Sequence, residues 1–423
     1  MGKEPRVWSQ HNIIIETARG NYLLNLCSGA SYEVTKDIAR VLTEGHPESL
    51  DDNTKEIFMQ EGIIVEESLE KSKVAEMISE SNNPRVLQTS AFVIPTYQCN
   101  LHCRYCFQHL RDKKEVMTSS MLERAFEIIH ELGADKAPVT LFGGEPLLPK
   151  NFDLVEFFCN RIEQLGLQFR IITNGVALGQ FKKLLVQHRD RLEYVQVTID
   201  GSEQIHNERR GKGSYRRIME SIQQCYEAIP IVIRVNTDFD NIDTIHILLE
   251  EVYARFPDLD TYCAPVRDSI CGKIAAAASI ESKHRFVWTL LDFKKRYTRF
   301  GTNGFRGFDI GECIVKNTEL PAPSLNFCSP KLVFDPKGLL FPCVSASGHD
   351  HLAHGQFWPE LRFFRNWWSN RAHYDTDKCR GCNLILVCGG GCSLEHETGY
   401  MEVCKDDILR NISVSLEYYL EQQ

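Results

Sequence analysis

Between residues 88 and 265 short apolar runs alternate with helical stretches six times, and no other feature limits the possible folds so strongly. The runs lie at 92–94, 139–142, 169–172, 194–199, 231–236 and 261–264. Apolar residues at helical spacing fill the intervals, as over 119–132 and 154–164. Strands separated by crossover helices pair in parallel. The expected fold class is therefore α/β, a partial (β/α)6 TIM-type barrel rather than a closed eightfold one. Catalytic groups then belong on the loops after the C-terminal ends of the strands.

The remaining chain divides around this unit. Residues 1–67 read as a small domain of their own. Ile13-Ile14-Ile15 and Tyr22-Leu23-Leu24 flank a polar turn and predict a hairpin. Val34, Ile38, Val41 and Leu42 repeat at helical spacing, and Gly45 closes that helix. A helix near 54–60 and a strand at 63–65 complete a winged-helix-like pattern. The charged segment 68–87 reads as a helical linker ending at Asn83-Pro84. The barrel is expected over 88–310, although 266–327 shows a helix near 282–297 and little else. Residues 311–423 form a Cys-rich domain with an amphipathic helix at 407–421.

Composition narrows the function classes. The net charge of −9 argues against nucleic-acid binding through a basic patch. No apolar run reaches membrane-spanning length, and the N-terminus lacks an apolar signal core. A cytoplasmic protein without a membrane or nucleic-acid partner is expected. Its sixteen cysteines then point to metal or redox chemistry rather than disulfides. Ten of the sixteen fall into two tight patterns.

The first pattern is Cys99-x3-Cys103-x2-Cys106, directly after the first predicted strand. Three thiolates on one loop can bind three irons of a cubane and leave the fourth free. A zinc site is the alternative, and His102 or His109 could complete one. Position favours the cluster, because a barrel enzyme places its site there. After the second strand comes Gly143-Gly144-Glu145-Pro146. Paired glycines allow close approach to the backbone, and Glu145 offers an acceptor for an ammonium group.

Over about residues 88–240 these features resemble the radical S-adenosylmethionine (SAM) superfamily. The resemblance implies a SAM-binding [4Fe-4S] cluster on Cys99, Cys103 and Cys106. It places Tyr105 near the adenine and Gly143, Gly144 and Glu145 at the methionine amino group. Thr173-Asn174-Gly175 and Thr198-Ile199-Asp200-Gly201 follow the third and fourth strands, where SAM contacts recur, so Thr173, Asn174, Thr198 and Asp200 join the expected site. The usual residue at the Thr198 position is serine, and the hydroxyl is kept. His206 and Arg210 resemble a further polar motif. The implied chemistry is cleavage of SAM to a 5′-deoxyadenosyl radical, with electrons from an external flavodoxin or ferredoxin type donor.

The second pattern is Cys328-x9-Gly338-x4-Cys343, then Cys379-x2-Cys382-x5-Cys388-x3-Cys392 and Cys404. It resembles the SPASM domain, which implies two auxiliary iron–sulfur clusters. Cys379, Cys382, Cys388 and Cys404 would hold one. Cys328, Cys343 and Cys392 would hold the other, with Cys313 a candidate fourth ligand or the position open to substrate. Zinc ribbons are the alternative for this spacing. Of the other thiols, Cys27, Cys159 and Cys225 read as buried hydrophobes, whereas Cys263 and Cys271 could approach the active site.

Enzymes of this type often modify peptides, and residues 1–67 resemble the peptide-recognition element of ribosomally made peptide pathways, which captures a leader as an added strand. The leading expectation is an oxidoreductase that cross-links a ribosomally made precursor peptide through a thioether or carbon–carbon bond. The alternative is an anaerobic sulfatase-maturating enzyme that forms formylglycine. A non-catalytic scaffold that binds peptide is the contrasting class.

Overall fold

The computed structural model describes residues 6–81, 90–108, 114–266, 280–318, 320, 331–364, 379, 381–390 and 404–423. The N-terminal part holds β1 (Arg6–Trp8), β2 (Asn12–Thr17), β3 (Gly20–Asn25), β4 (Ser31–Val34), helix α1 (Lys36–Glu44), helix α2 (Asp52–Gln60) and β5 (Ile64–Glu66). The predicted hairpin is β2–β3, in register from Asn12↔Asn25 to Thr17↔Gly20. Strand β4 extends it, and β5 pairs antiparallel with β1. Both added strands have four residues or fewer, too short to display an alternating pattern. Thr35 caps α1 by accepting from the Ile38 N–H, and Gly45 ends it at φ +76°.

This part does not stand alone. Leu23 turns into its own small core with Val34, Ala39, Phe58 and Ile63. From the other face of the hairpin, Ile13, Ile15 and Leu24 pack with Ile385, Leu386, Ile412 and Leu416 of the C-terminal region. Helix α3 (Glu67–Ser81) follows where the helical linker was expected, and Asn83-Pro84 lies outside the described residues.

The central sheet has eleven strands in linear order. All six predicted strands are present: β6 (Ser90–Val93), β7 (Val139–Leu141), β8 (Phe169–Thr173), β9 (Leu192–Thr198), β10 (Ile231–Thr237) and β11 (Asp260–Pro265). They pair in parallel with sequential neighbours. Strand β12 (Phe300–Thr302) joins parallel beside β11, and β13 (Lys331–Phe334) joins parallel beside β6. Beyond β13 the order continues antiparallel through β14 (Leu339–Phe341), β15 (Gly355–Gln356) and β16 (Arg362–Phe363). The sheet stays open because β13 pairs with β14 rather than with β12.

Helices α4 (Ser119–Glu131), α5 (Phe152–Gln164), α6 (Leu178–Gln187), α7 (Glu203–Arg210), α8 (Ser214–Cys225), α9 (Ile245–Arg255) and α10 (Ile280–Arg296) connect the parallel strands. They bury Ile171, Val195, Val197, Ile233 and Val235 beneath them. Helix α11 (Ile310–Lys316) and the C-terminal helix Cys404–Glu421 pack together, with Gly311 against the Ser415–Leu416 backbone. No helix among the described residues is long and apolar enough to cross a membrane.

Candidate active site

Every predicted site residue of the barrel lies at the C-terminal ends of the strands. The cysteine loop follows β6, Gly143–Glu145 follows β7, Asn174 follows β8 and Asp200 follows β9. The two glycines weld the first two loops together. The Gly144 N–H donates to Thr96 O at 3.0 Å, and the Glu145 N–H donates to Gln98 O at 2.8 Å. A Cβ on Gly144 would stand 2.3 Å from Gln98 O and 2.5 Å from Tyr97 O. Gly143, at φ +144°, would drive a Cβ to 2.7 Å from Thr96 O. Both positions thus bring backbone against backbone just before Cys99. Gly144→Ala is expected to cost about 2–3 kcal/mol and to reduce iron bound per chain, because carbonyl groups cannot move aside as a side-chain tip would. Gly133→Ala, at φ +66° with open space around it, serves as the control for backbone strain alone. Thermal midpoints and iron content separate the two.

Glu145 is fully enclosed. Its carboxylate accepts from Thr173 Oγ1 at 2.6 Å, the Asn174 N–H at 2.7 Å and the Leu147 N–H at 2.9 Å. Burial pushes its pKa up, and these three donors oppose that rise. The carboxylate thereby ties the β7 loop to the β8 loop. Asn174 continues the link: its Nδ2 donates to Asn100 Oδ1 at 2.7 Å and lies 3.8 Å from Cys99 Sγ.

The cysteine loop turns tightly, with the Cys106 N–H donating to Cys103 O at 3.1 Å. Cys99 Sγ accepts from the Leu101 N–H at 3.4 Å. Burial pushes the Cys103 thiol up to about 11, while the nearby Arg210 guanidinium pulls it down. The donor set fits an iron–sulfur cubane: three half-buried cysteines on one loop, with N–H groups aimed at sulfur. Among the described residues no three His, Cys, Asp or Glu side chains gather around a single ion. Of the alternative zinc ligands, His102 is exposed and His109 lies outside the described residues.

Behind the loop lies a buried charged network that sequence inspection barely touched. The Tyr105 hydroxyl donates to Asp200 Oδ2. It accepts from Arg210 Nη1 at 2.6 Å and Asn236 Nδ2 at 3.1 Å. Arg209 lies over the Tyr105 ring at 5.0 Å and grips both oxygens of Asp238 at 2.8 and 2.9 Å. Its Nε is 3.5 Å from Asp200 Oδ2. Asn241 Nδ2 donates to the carbonyls of Asp200 and Asn236. Thr198 is buried at the end of β9. Asn236, Asp238 and Asn241 were missed. Only their place at the end of the fifth strand could have marked them.

His206 and Arg210 both join this network. The Asp200 N–H donates to His206 Nδ1 at 3.2 Å, so the ring proton sits on Nε2 and faces Ser214 Oγ at 3.1 Å. The Ser214 hydroxyl in turn donates to Gly211 O at 2.6 Å. Burial pushes the His206 pKa down to about 4, with Arg210 and Arg209 helping and Asp200 opposing. The folded chain keeps this ring neutral where the unfolded chain protonates it. Its contribution is therefore full above pH 6.5 and lost as pH falls towards 4, about 3 kcal/mol in all. Asp335, pushed up to about 6 by burial, acts in the opposite sense. Unfolding midpoints of the wild type and His206→Asn between pH 7 and 4 should converge as pH falls.

The C-terminal cysteines are only partly described. Cys379 and Cys388 are buried, Cys382 is half-buried, and the three share one core with the N-terminal hairpin. Arg306 Nη1 donates to Cys388 Sγ at 3.3 Å, and His11 Nδ1 is 3.2 Å from Asn383 O. Cys343 follows β14, and Gly338, at φ +85°, makes the β13–β14 turn. Cys313 lies on α11. Cys404 opens the C-terminal helix, while Cys328, Cys392 and Cys271 lie outside the described residues. Cys263 is turned into the helix-covered core rather than towards the site. Cys159 and Cys225 are core thiols.

Residues 93–252 match the model of the Radical SAM superfamily. The chain is 26% identical over 352 residues to an Fe-coproporphyrin III synthase of Methanosarcina barkeri, spanning 74% of this chain and 85% of the relative. It is 22% identical over 348 residues to a cysteine-type anaerobic sulfatase-maturating enzyme of Clostridium novyi, spanning 73% and 89%. Its fold is similar to Streptococcus suis SuiB bound to precursor peptide SuiA, at TM-score 0.55 and 16% identity, covering 93% of this chain and 97% of that one.

Proposed function

We propose that this chain is a radical SAM oxidoreductase that modifies a ribosomally made precursor peptide, by thioether or carbon–carbon cross-linking. The observation that carries the reading is the Cys99/Cys103/Cys106 loop seated beside Glu145, Asn174 and Asp200 on the reactive edge of the sheet. A [4Fe-4S] cluster and SAM held there would supply one-electron reductive cleavage of the sulfonium, to methionine and a 5′-deoxyadenosyl radical able to abstract hydrogen from substrate.

The chain's own residues have three tasks. Cys99, Cys103 and Cys106 hold the cluster. Glu145 locks the loops of β7 and β8, so that Gly143, Gly144, Thr173 and Asn174 form one wall for SAM. Tyr105, Thr198 and Asp200, stiffened by Arg209 and Arg210, form the other. Cys328, Cys343, Cys379, Cys382, Cys388, Cys392 and Cys404 would hold two auxiliary iron–sulfur clusters, which would supply an acceptor for the electron left by substrate oxidation. Residues 1–67 bind the leader, and a flavodoxin or ferredoxin supplies the reducing electron. The structural likeness to a maturase bound to its precursor peptide, spanning 93% of this chain, supports the peptide assignment.

Formylglycine formation in a sulfatase is the second reading, favoured by the shared length with the C. novyi enzyme. Anaerobically reconstituted protein with SAM and dithionite should form 5′-deoxyadenosine. A leader-bearing peptide should leave the reaction two hydrogens lighter. Conversion of a Cys or Ser in a sulfatase peptide to formylglycine would instead establish the second reading. Absence of 5′-deoxyadenosine from fully iron-loaded protein would refute both.

A further inference from the structure

The face of the sheet away from the helices carries a cation with no counter-ion among the described residues. Along β10, Ile231, Ile233 and Val235 are buried in the helix-covered core, so Val232, Arg234 and Asn236 face the other way. Arg234 is half-buried there, in register between Thr198 on β9 and Tyr262 on β11. Its Nε donates to Asn236 Oδ1 at 2.8 Å. Asn236 in turn meets the Tyr105 hydroxyl. Tyr262, also beside Arg234, reaches across β10 to donate to Gln196 Oε1 at 2.6 Å.

Charge balance singles this residue out. Arg170, on the same face, is held by both oxygens of Glu193 at 2.7 and 2.9 Å. Arg209 is paired with Asp238, and Arg210 lies 3.9 Å from Asp200. Among the described residues the polar partners of Arg234 are the neutral groups of Asn236 and Tyr262, and no ion pair includes it. A half-buried guanidinium has lost part of its hydration. A carboxylate restores that loss, and the planar fork suits two parallel hydrogen bonds to one.

We infer that Arg234 anchors the substrate by a carboxylate, presented beside Tyr262 and one step from the Asn236–Tyr105 contact. The inference rests on the peptide reading above. The carboxylate comes from an Asp or Glu side chain of the peptide or from its C-terminus.

Full-length, anaerobically reconstituted protein with SAM would be titrated with three probes. These are acetyl-Ala-Ala-Glu-Ala-Ala-amide, the same peptide with Gln at the centre, and the Gln peptide with a free C-terminal carboxylate. One carboxylate probe should bind about tenfold more tightly than the neutral one, and which one does so identifies the source. Arg234→Gln should erase that preference and Arg234→Lys should restore part of it, with the loss falling on probe affinity more than on SAM affinity. Equal binding of all three probes by the wild type would overturn the inference. So would a preference that survives Arg234→Gln, or a loss of SAM affinity as large as that for the probe. Failure of the wild type to cleave SAM would count against the enzyme reading alone, since the binding comparison still decides the role of Arg234.

Discussion

Cys103→Ala should bring 5′-deoxyadenosine formation below detection and remove iron from the SAM-binding site. Cys103 is the middle cysteine of the triplet, and its carbonyl closes the loop by accepting from the Cys106 N–H at 3.1 Å. The adjacent Arg104 N–H donates to Arg209 O at 3.0 Å, so the loop backbone stays anchored without the thiol. The loss should therefore appear as missing iron and missing SAM cleavage rather than as unfolding. Cys159→Ala makes the comparison. That thiol is wholly buried in the helix-covered core, and its loss should lower stability while leaving iron content intact. Iron analysis, the cluster's visible absorption and 5′-deoxyadenosine assays decide the matter. Full SAM cleavage by Cys103→Ala would remove this cysteine from the cluster.

Arg209→Ala should destabilise the fold by about 3–5 kcal/mol, because it leaves buried Asp238 without its cation and takes from Asp200 one of its two, leaving Arg210 at 3.9 Å. Arg209 is 1% exposed and stands between Asp238 and Asp200. Its loss also removes the cation from the Tyr105 ring. Arg209→Lys keeps the charge but cannot serve both Asp238 oxygens and Asp200 from one planar group, so it should recover only part of the loss. Denaturant midpoints measure the effect. The deficit should narrow at low pH, where protonation removes the stranded charges. A pH-independent deficit would mean that lost packing, not charge, accounts for it.

The six parallel strands could be read because each needs only a short apolar run and each crossover helix only a local period. Strands β12 and β13 could not. Each has three or four residues, and each exists because it meets an edge already formed by β11 or β6. The cysteine triplet was legible for the same reason as the strands, since its thiols lie within eight consecutive residues. The glycine pair was legible as a motif but not in its role: Gly143 and Gly144 are packed against residues 94–98, contacts that appear only when β6 and β7 lie side by side. The hairpin of residues 12–25 was found, yet its second face meets Ile385, Leu386, Ile412 and Leu416, which no local pattern foretells.

By itself the sequence determined the order of the six central parallel strands and the helices between them, the spacing of the thiols and the identity of the donor atoms, all properties of neighbours along the chain. Tertiary structure alone decided that Arg209 pairs with Asp238, that Glu145 ties two loops together and that Arg234 faces away from the helices with no counter-ion among the described residues. Those outcomes depend on which strand lies beside which and how far each side chain is removed from water. Only the assembled sheet sets that dielectric environment.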